Sequence, residues 1–211
     1  HQLGMAPLTI ISHSLGGQIS LNYAGLYPEN VKKIVAIEGL GPSPKRIRQR
    51  ENTPGDQRMR GWIDDLRGIA GRMPRRYKSL DEAFQRMHEA NKHLTADKAR
   101  HLTEHGVHQN EDGTYSWKFD NYVHADKPFG MTAADNAQLW ERISCPALLV
   151  YGGDSWASYP PDDGRDQHFK TASFIKVPEA SHWVHHEQLD VFMTHVKRFL
   201  TCLLYTSPSP R

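Results

Sequence analysis

Apolar and polar positions follow two registers along this chain. Leu8, Ile10 and Ile11, with β-branched Thr9 among them, predict a short buried strand, and Ile19, Tyr23 and Leu26 recur at helical spacing over Gln18 to Tyr27. Apolar runs at Val31 to Glu38, Ala147 to Tyr151 and Ser173 to Val177 predict three further strands, and Leu189 to Leu200 a closing helix. Between the second and third strands, Ser43 to Arg142 has almost no strand character. Helices are expected there over Asp56 to Met73, Ser79 to Asn91 and Thr95 to His105, each opened by an aspartate, serine or threonine able to cap free N–H groups. Ser79 with Glu82, and Thr132 with Asp135, fit a capping box. Asn110 to Tyr115 reads as a turn, after which Trp117 and Phe119 alternate.

The first strand runs straight into Ser12-His13-Ser14-Leu15-Gly16-Gly17, and a helix follows at once. A serine on so tight a strand-to-helix turn sits in a strained backbone, and small residues two before and two after it relieve clashes. Ser12 and Gly16 hold those positions, with Ser12 where a glycine is usual, so Ser14 is the displayed hydroxyl of a nucleophile elbow. The Leu15 backbone N–H at the helix start is placed to face an oxyanion. A serine hydroxyl needs an imidazole to take its proton, and the imidazole needs a carboxylate to fix its tautomer.

With these residues the chain resembles the α/β-hydrolase superfamily. The resemblance covers the elbow, the strand ending at Gly39-Leu40-Gly41-Pro42, the strand ending at Gly152-Gly153-Asp154, and the last strand leading to Pro178-Glu179-Ala180-Ser181-His182-Trp183. It implies the C-terminal part of an α/β-hydrolase sheet, mostly parallel with helices on both faces: a core at 1–42 and 143–201 and an inserted helical cap at 43–142. The implied nucleophile is Ser14 and the base His182. Asp154, after the penultimate strand, is the first choice for the acid, and Glu38, at the end of the strand before it, is the rival. Hydrolysis of a carboxylic ester or related acyl bond of a small molecule follows, with carbon–carbon cleavage still open. A non-catalytic binding module on the same fold is the alternative.

Plainer readings exist for each residue. Ser14 could cap a helix, and His182 with His186 at i, i+4 could suggest a metal, but no glutamate lies between them in the zinc-helix manner, and no metal or cofactor is expected. His185, His186 and Glu187 are expected to open the closing helix. His13, Trp156 and Trp183 are expected to line the pocket. His101, His105 and His108 have ligand-like spacing, yet Gly106 should end their helix. Basic residues from Lys45, Arg46 and Arg48 onward to Lys78 could form a mouth for an anionic substrate, but a solvated face relieved by Glu51, Asp56, Asp64 and Asp65 is the favoured reading.

Composition adds limits. Of 211 residues, 38% are hydrophobic and 24% charged, and the formal net charge is +2, so nothing calls for nucleic acid or a membrane. The oligomeric state is left open. The last ten residues, Cys202 to Arg211, match the translation of a transposon-type sequencing adapter and are set aside. Cys145 then stands alone, which favours a reducing, cytoplasmic setting. The resemblance implies that the earlier strands, and the loop giving a second oxyanion donor, lie upstream of residue 1. The 211 residues alone are therefore expected to be nearly inactive.

Overall fold

The computed structural model describes residues 3–125 and 128–201, so the Cys202–Arg211 segment lies outside the described residues. In chain order the elements are β1 (Leu8–His13), α1 (Leu15–Leu26), β2 (Val31–Ile37), α2 (Pro44–Asn52), α3 (Gly55–Ala70), α4 (Leu80–Ala90), α5 (Ala96–Gly106), β3 (Val107–Gln109), β4 (Tyr115–Trp117), α6 (Ala133–Glu141), β5 (Ala147–Gly152), α7 (Pro160–Asp163), β6 (Ala172–Val177), α8 (Val184–Glu187) and α9 (Leu189–Thr201). They fall into two compact units, one running to Gln49 and resuming at Met131, the other Arg50–Gly130.

The first unit is built on a four-stranded parallel sheet in the order β1-β2-β5-β6. The two central strands are covered on both faces, which is why they read as unbroken apolar runs rather than as alternation. Successive side chains still go to opposite faces. Ile34, Ala36, Leu149 and Tyr151 join Leu21 and Ala24 of α1 and Trp140 of α6 in one core. Val35, Ile37, Leu148 and Val150 join Phe192, Val196 and Phe199 of α9 in the other. Those three α9 residues recur at i, i+4 and i+7, and each buried side chain contributes about 1.5–3 kcal/mol, which fixes the helix on the sheet.

The boundary of this unit differs from the expected one. Residues 133–141 form α6, opened by the full reciprocal capping box of Thr132 and Asp135. This helix belongs with the sheet because it packs on α1: Gly25 is bare where a side chain would run into the Leu139 carbonyl. The α2 helix was not anticipated, since Ile47 is its only buried residue and leaves too weak an apolar stripe to read.

Among its described residues, the Arg50–Gly130 unit has helices joined by loops, one short hairpin, β3 with β4, and an isolated bridge from Tyr77 to Tyr115. The hairpin turns where Asn110 to Tyr115 predicts, but its second strand is Tyr115–Trp117. Tyr77, Ala83 and Val107 form its centre, with Leu80, Tyr115 and Trp117 packed around them. Ser79 caps α4 through its hydroxyl to Glu82 N–H, while the Glu82 carboxylate takes the N–H of Lys78 instead of closing a box. Gly106 does end α5, and Val107 begins the hairpin, so His108 lies on β3 and off the helix.

A close approach fixes where α1 leaves the sheet. A Cβ on Gly17 would lie 2.6 Å from Gly39 Cα, whereas one on Gly16 would meet only Ser12 Cβ at an ordinary 3.8 Å. The tight demand for a small residue is therefore at Gly17, one position beyond that expected. Gly17→Ala should destabilise by about 2 kcal/mol, because backbone rather than a flexible side chain must yield. Gly61→Ala in α3, with open space around it, should gain up to about 1 kcal/mol of helix propensity. Melting temperatures check both, the first falling by about 4–8 °C.

Candidate active site

All four strands of the sheet are parallel, so their carboxyl ends lie on one edge, where chemistry collects in open α/β sheets. β1 ends at His13 and hands the chain to Ser14. This residue has φ 54°, a left-handed conformation unusual for a residue with a side chain. Its own N–H is held by the Ile37 carbonyl at 2.8 Å, and its hydroxyl makes no cap on α1. The hydroxyl instead bonds His182 Nε2 at 3.0 Å. Leu15 opens α1, where the first N–H groups have no partner within the helix.

β2 ends at Ile37 and delivers Glu38, whose φ of 51° turns the chain sharply. Glu38 is buried, and its N–H is fixed to the Val150 carbonyl at 2.9 Å. Its Oε1 accepts the Gly152 N–H at 2.6 Å; its Oε2 accepts the Ser155 hydroxyl at 2.7 Å and faces His182 Nδ1 at 3.3 Å. The last contact is a little longer than the usual about 2.7–3.2 Å, and such bonds tighten as charge develops on the ring. A carboxylate only accepts, so Nδ1 carries the hydrogen and Nε2 presents its lone pair to Ser14. The order serine, imidazole, carboxylate is thus read from hydrogen-bond chemistry as well as from distance.

The structure brings together Ser14, His182 and Glu38 and leaves Asp154 apart. Asp154 is exposed, and its backbone N–H is bound to the Ala180 carbonyl at 2.9 Å. Its carboxylate has no hydrogen bond or ion pair among the described residues. The residue after it, Ser155, is the one that reaches the site, and the sequence carried no signal for it beyond that adjacency. Ser155 Oγ also accepts the Ala157 N–H at 3.1 Å, which orients its own proton toward Glu38.

The loop bearing His182 is tied down at several points. Ser181 donates its hydroxyl to Glu187 at 2.6 Å and its N–H to the same carboxylate, so His185, His186 and Glu187 form the separate short α8 rather than opening α9. His13 Nε2 donates to the His182 carbonyl at 2.8 Å, linking the elbow strand to this loop. The Trp156 ring lies 4.9 Å from the His182 ring and is 80% exposed, and Trp183 lies 5.2 Å from His13. No group of three or more His, Cys, Asp or Glu among the described residues is arranged to hold a metal ion.

Burial lowers the His13 imidazole below its ordinary value, its bond to the His182 carbonyl opposing and the neighbouring His182 ring reinforcing the shift. His185 is pushed down to about 3 by burial, then by His13, His186 and His182 around it. Its Nδ1 is buried without a hydrogen-bond partner, as suits a neutral ring. An unfolded histidine takes its proton near pH 6.5 and the folded His185 only near 3, so the unfolded chain binds more protons between them. The stability this ring contributes is present above about pH 6.5 and is lost as pH falls toward 3. One proton corresponds to at most about 1.4 kcal/mol per pH unit, and partial solvent access makes the effect smaller. His185→Phe should flatten the fall in melting temperature between pH 7 and 5.

The chain belongs to the α/β-hydrolase-fold family, whose model matches residues 1–189. It is similar to the sn-1-specific diacylglycerol lipase ABHD11 of Mus musculus, 25% identical over 94% of this chain, and to the esterase YbfF of Escherichia coli, 24% identical over 91%. The chain spans 61% and 66% of the lengths of those two curated relatives. Among solved structures, a hypothetical protein of Pseudomonas aeruginosa superposes with a TM-score of 0.75 at 20% identity, over 93% of this chain and 70% of that one. An E-2-(acetamidomethylene)succinate hydrolase superposes at 0.70 and 19% identity, over 95% and 69%. No helix among the described residues is long and apolar enough to cross a membrane.

Proposed function

We propose that this chain carries the catalytic residues of a serine hydrolase that cleaves a carboxylic ester or related acyl bond of a small molecule, with Ser14 as nucleophile, His182 as base and then acid, and Glu38 in place of Asp154 as the orienting carboxylate. The observation that carries this reading is the continuous relay from Ser14 Oγ to His182 Nε2 at 3.0 Å and from His182 Nδ1 to Glu38 Oε2 at 3.3 Å. The names of the relatives, a lipase and an esterase, support a hydrolase of this kind.

Ser14 Oγ attacks the substrate carbonyl carbon as its proton passes to His182 Nε2, and the carbonyl π electrons move onto oxygen. The Leu15 N–H then stabilises that oxyanion. Collapse of the tetrahedral species breaks the bond to the leaving group, which takes the proton from His182, and the acyl group stays on Ser14. Water repeats the sequence with His182 again as base and frees the acid product. Glu38 does not take the proton; it stabilises the imidazolium formed in each half. A fluorophosphonate probe tests this directly on the complete gene product: covalent labelling is expected, and it should vanish in Ser14→Ala. Labelling that survives the substitution would assign the nucleophile elsewhere.

A further inference from the structure

We propose that the groove beside the Glu38–His182 pair binds a carboxylate on the substrate, held by Lys45 and Arg48; this rests on the reading of Ser14, His182 and Glu38 as the reacting centre. The groove encloses about 550 Å³ between the first turn of α2, the loop that follows β5, and α7. Two of its lining residues, Ser155 and Trp156, touch the Glu38–His182 pair. Ser155 lines it and donates its hydroxyl to Glu38 Oε2 at 2.7 Å, and Trp156 lines it with its ring 4.9 Å from that of His182.

The charges along its walls do not cancel. Asp162 is paired with Lys176 at 2.7 Å. Asp163 accepts from Arg165 Nε at 2.8 and 3.0 Å and from the Ser158 hydroxyl at 2.5 Å. With both acids engaged, Lys45 and Arg48 are the cations left over. Among the described residues neither has a hydrogen bond or ion pair. They stand at i and i+3 on α2, hence on one face of the helix, and both line the groove. Trp156 and Tyr159 give the groove apolar surface against which a short methylene chain can lie. An acyl group ending in a carboxylate matches this arrangement: its reacting carbonyl lies at Ser14, its chain along the tryptophan, and its charge at the lysine and arginine. Arginine adds paired donors that fit the two carboxylate oxygens.

The test compares mono-p-nitrophenyl glutarate with p-nitrophenyl hexanoate as substrates of the complete gene product, and measures binding of monomethyl glutarate by calorimetry. The glutarate ester is expected to be preferred in kcat/KM, and the preference should shrink as salt rises from 0.05 to 0.5 M, following roughly the screening length. In Lys45→Ala/Arg48→Ala the ratio of the two kcat/KM values should drop about ten-fold, mostly through KM, and monomethyl glutarate should bind about ten-fold more weakly. Ser14-dependent turnover with no preference for the glutarate ester, or a ratio unmoved by the double substitution, overturns the groove assignment and leaves the catalytic reading standing. Glutarate binding that depends on Lys45 and Arg48 while neither ester is cleaved overturns the catalytic reading and supports the groove. Loss of both turnover and binding overturns both.

Discussion

Replacing Glu38 by glutamine is expected to slow turnover by about 10³–10⁴, while Asp154→Asn stays within about two-fold of the unaltered protein. The size follows the analogous exchange in serine proteases, where the fault is a wrong tautomer rather than a lost contact. Here the tautomer is forced by the surroundings. Gly152 N–H donates to Oε1 of Glu38, so the carbonyl oxygen of a glutamine must take that position. Its NH₂ group then faces His182 Nδ1, where only an acceptor can meet it. The imidazole proton is driven to Nε2, which now points a hydrogen at Ser14 and cannot receive one. KM should move far less than kcat, since no substrate contact has changed. Initial rates at saturating ester, measured beside melting curves, check the prediction. The opposite ranking of the two substitutions would move the acid back to Asp154.

Removal of the Ser14 hydroxyl should have the larger effect, a loss of about 10⁶ in kcat, with a residue of catalysis from the oxyanion donor and binding alone. The fold should not suffer. Alanine keeps the Cβ that serine already holds at φ 54°, so the backbone strain is unchanged, and the hydroxyl does not cap α1. Ser14→Ala is therefore expected to melt within about 1–2 °C of the parent. A large fall in melting temperature would show that the hydroxyl holds the elbow together and would recast its role.

The elements that were legible in the sequence are those whose signal is local. β1, the turn at Ser14 and α1 follow from apolar spacing and small residues, and β2, β5 and β6 from apolar runs that two-sided burial requires. His182 was placed by chain order after the last strand. The carboxylate was not settled by the same means, because β2 and β5 are neighbours in the sheet and both end beside the histidine loop. Two facts of conformation decide which acid reaches it: the left-handed turn at Glu38, and the bond from Asp154 N–H to Ala180. Neither is written in residue type. The unit boundaries moved for a similar reason, since the capping box at Thr132 announces a helix but not the glycine on α1 against which it packs.

Oε2 of Glu38 is shared between a hydroxyl from one strand end and an imidazole from another. The negative charge therefore resides at a junction rather than on a particular strand, and a chain with an acidic residue at position 155 could carry that charge from the neighbouring side.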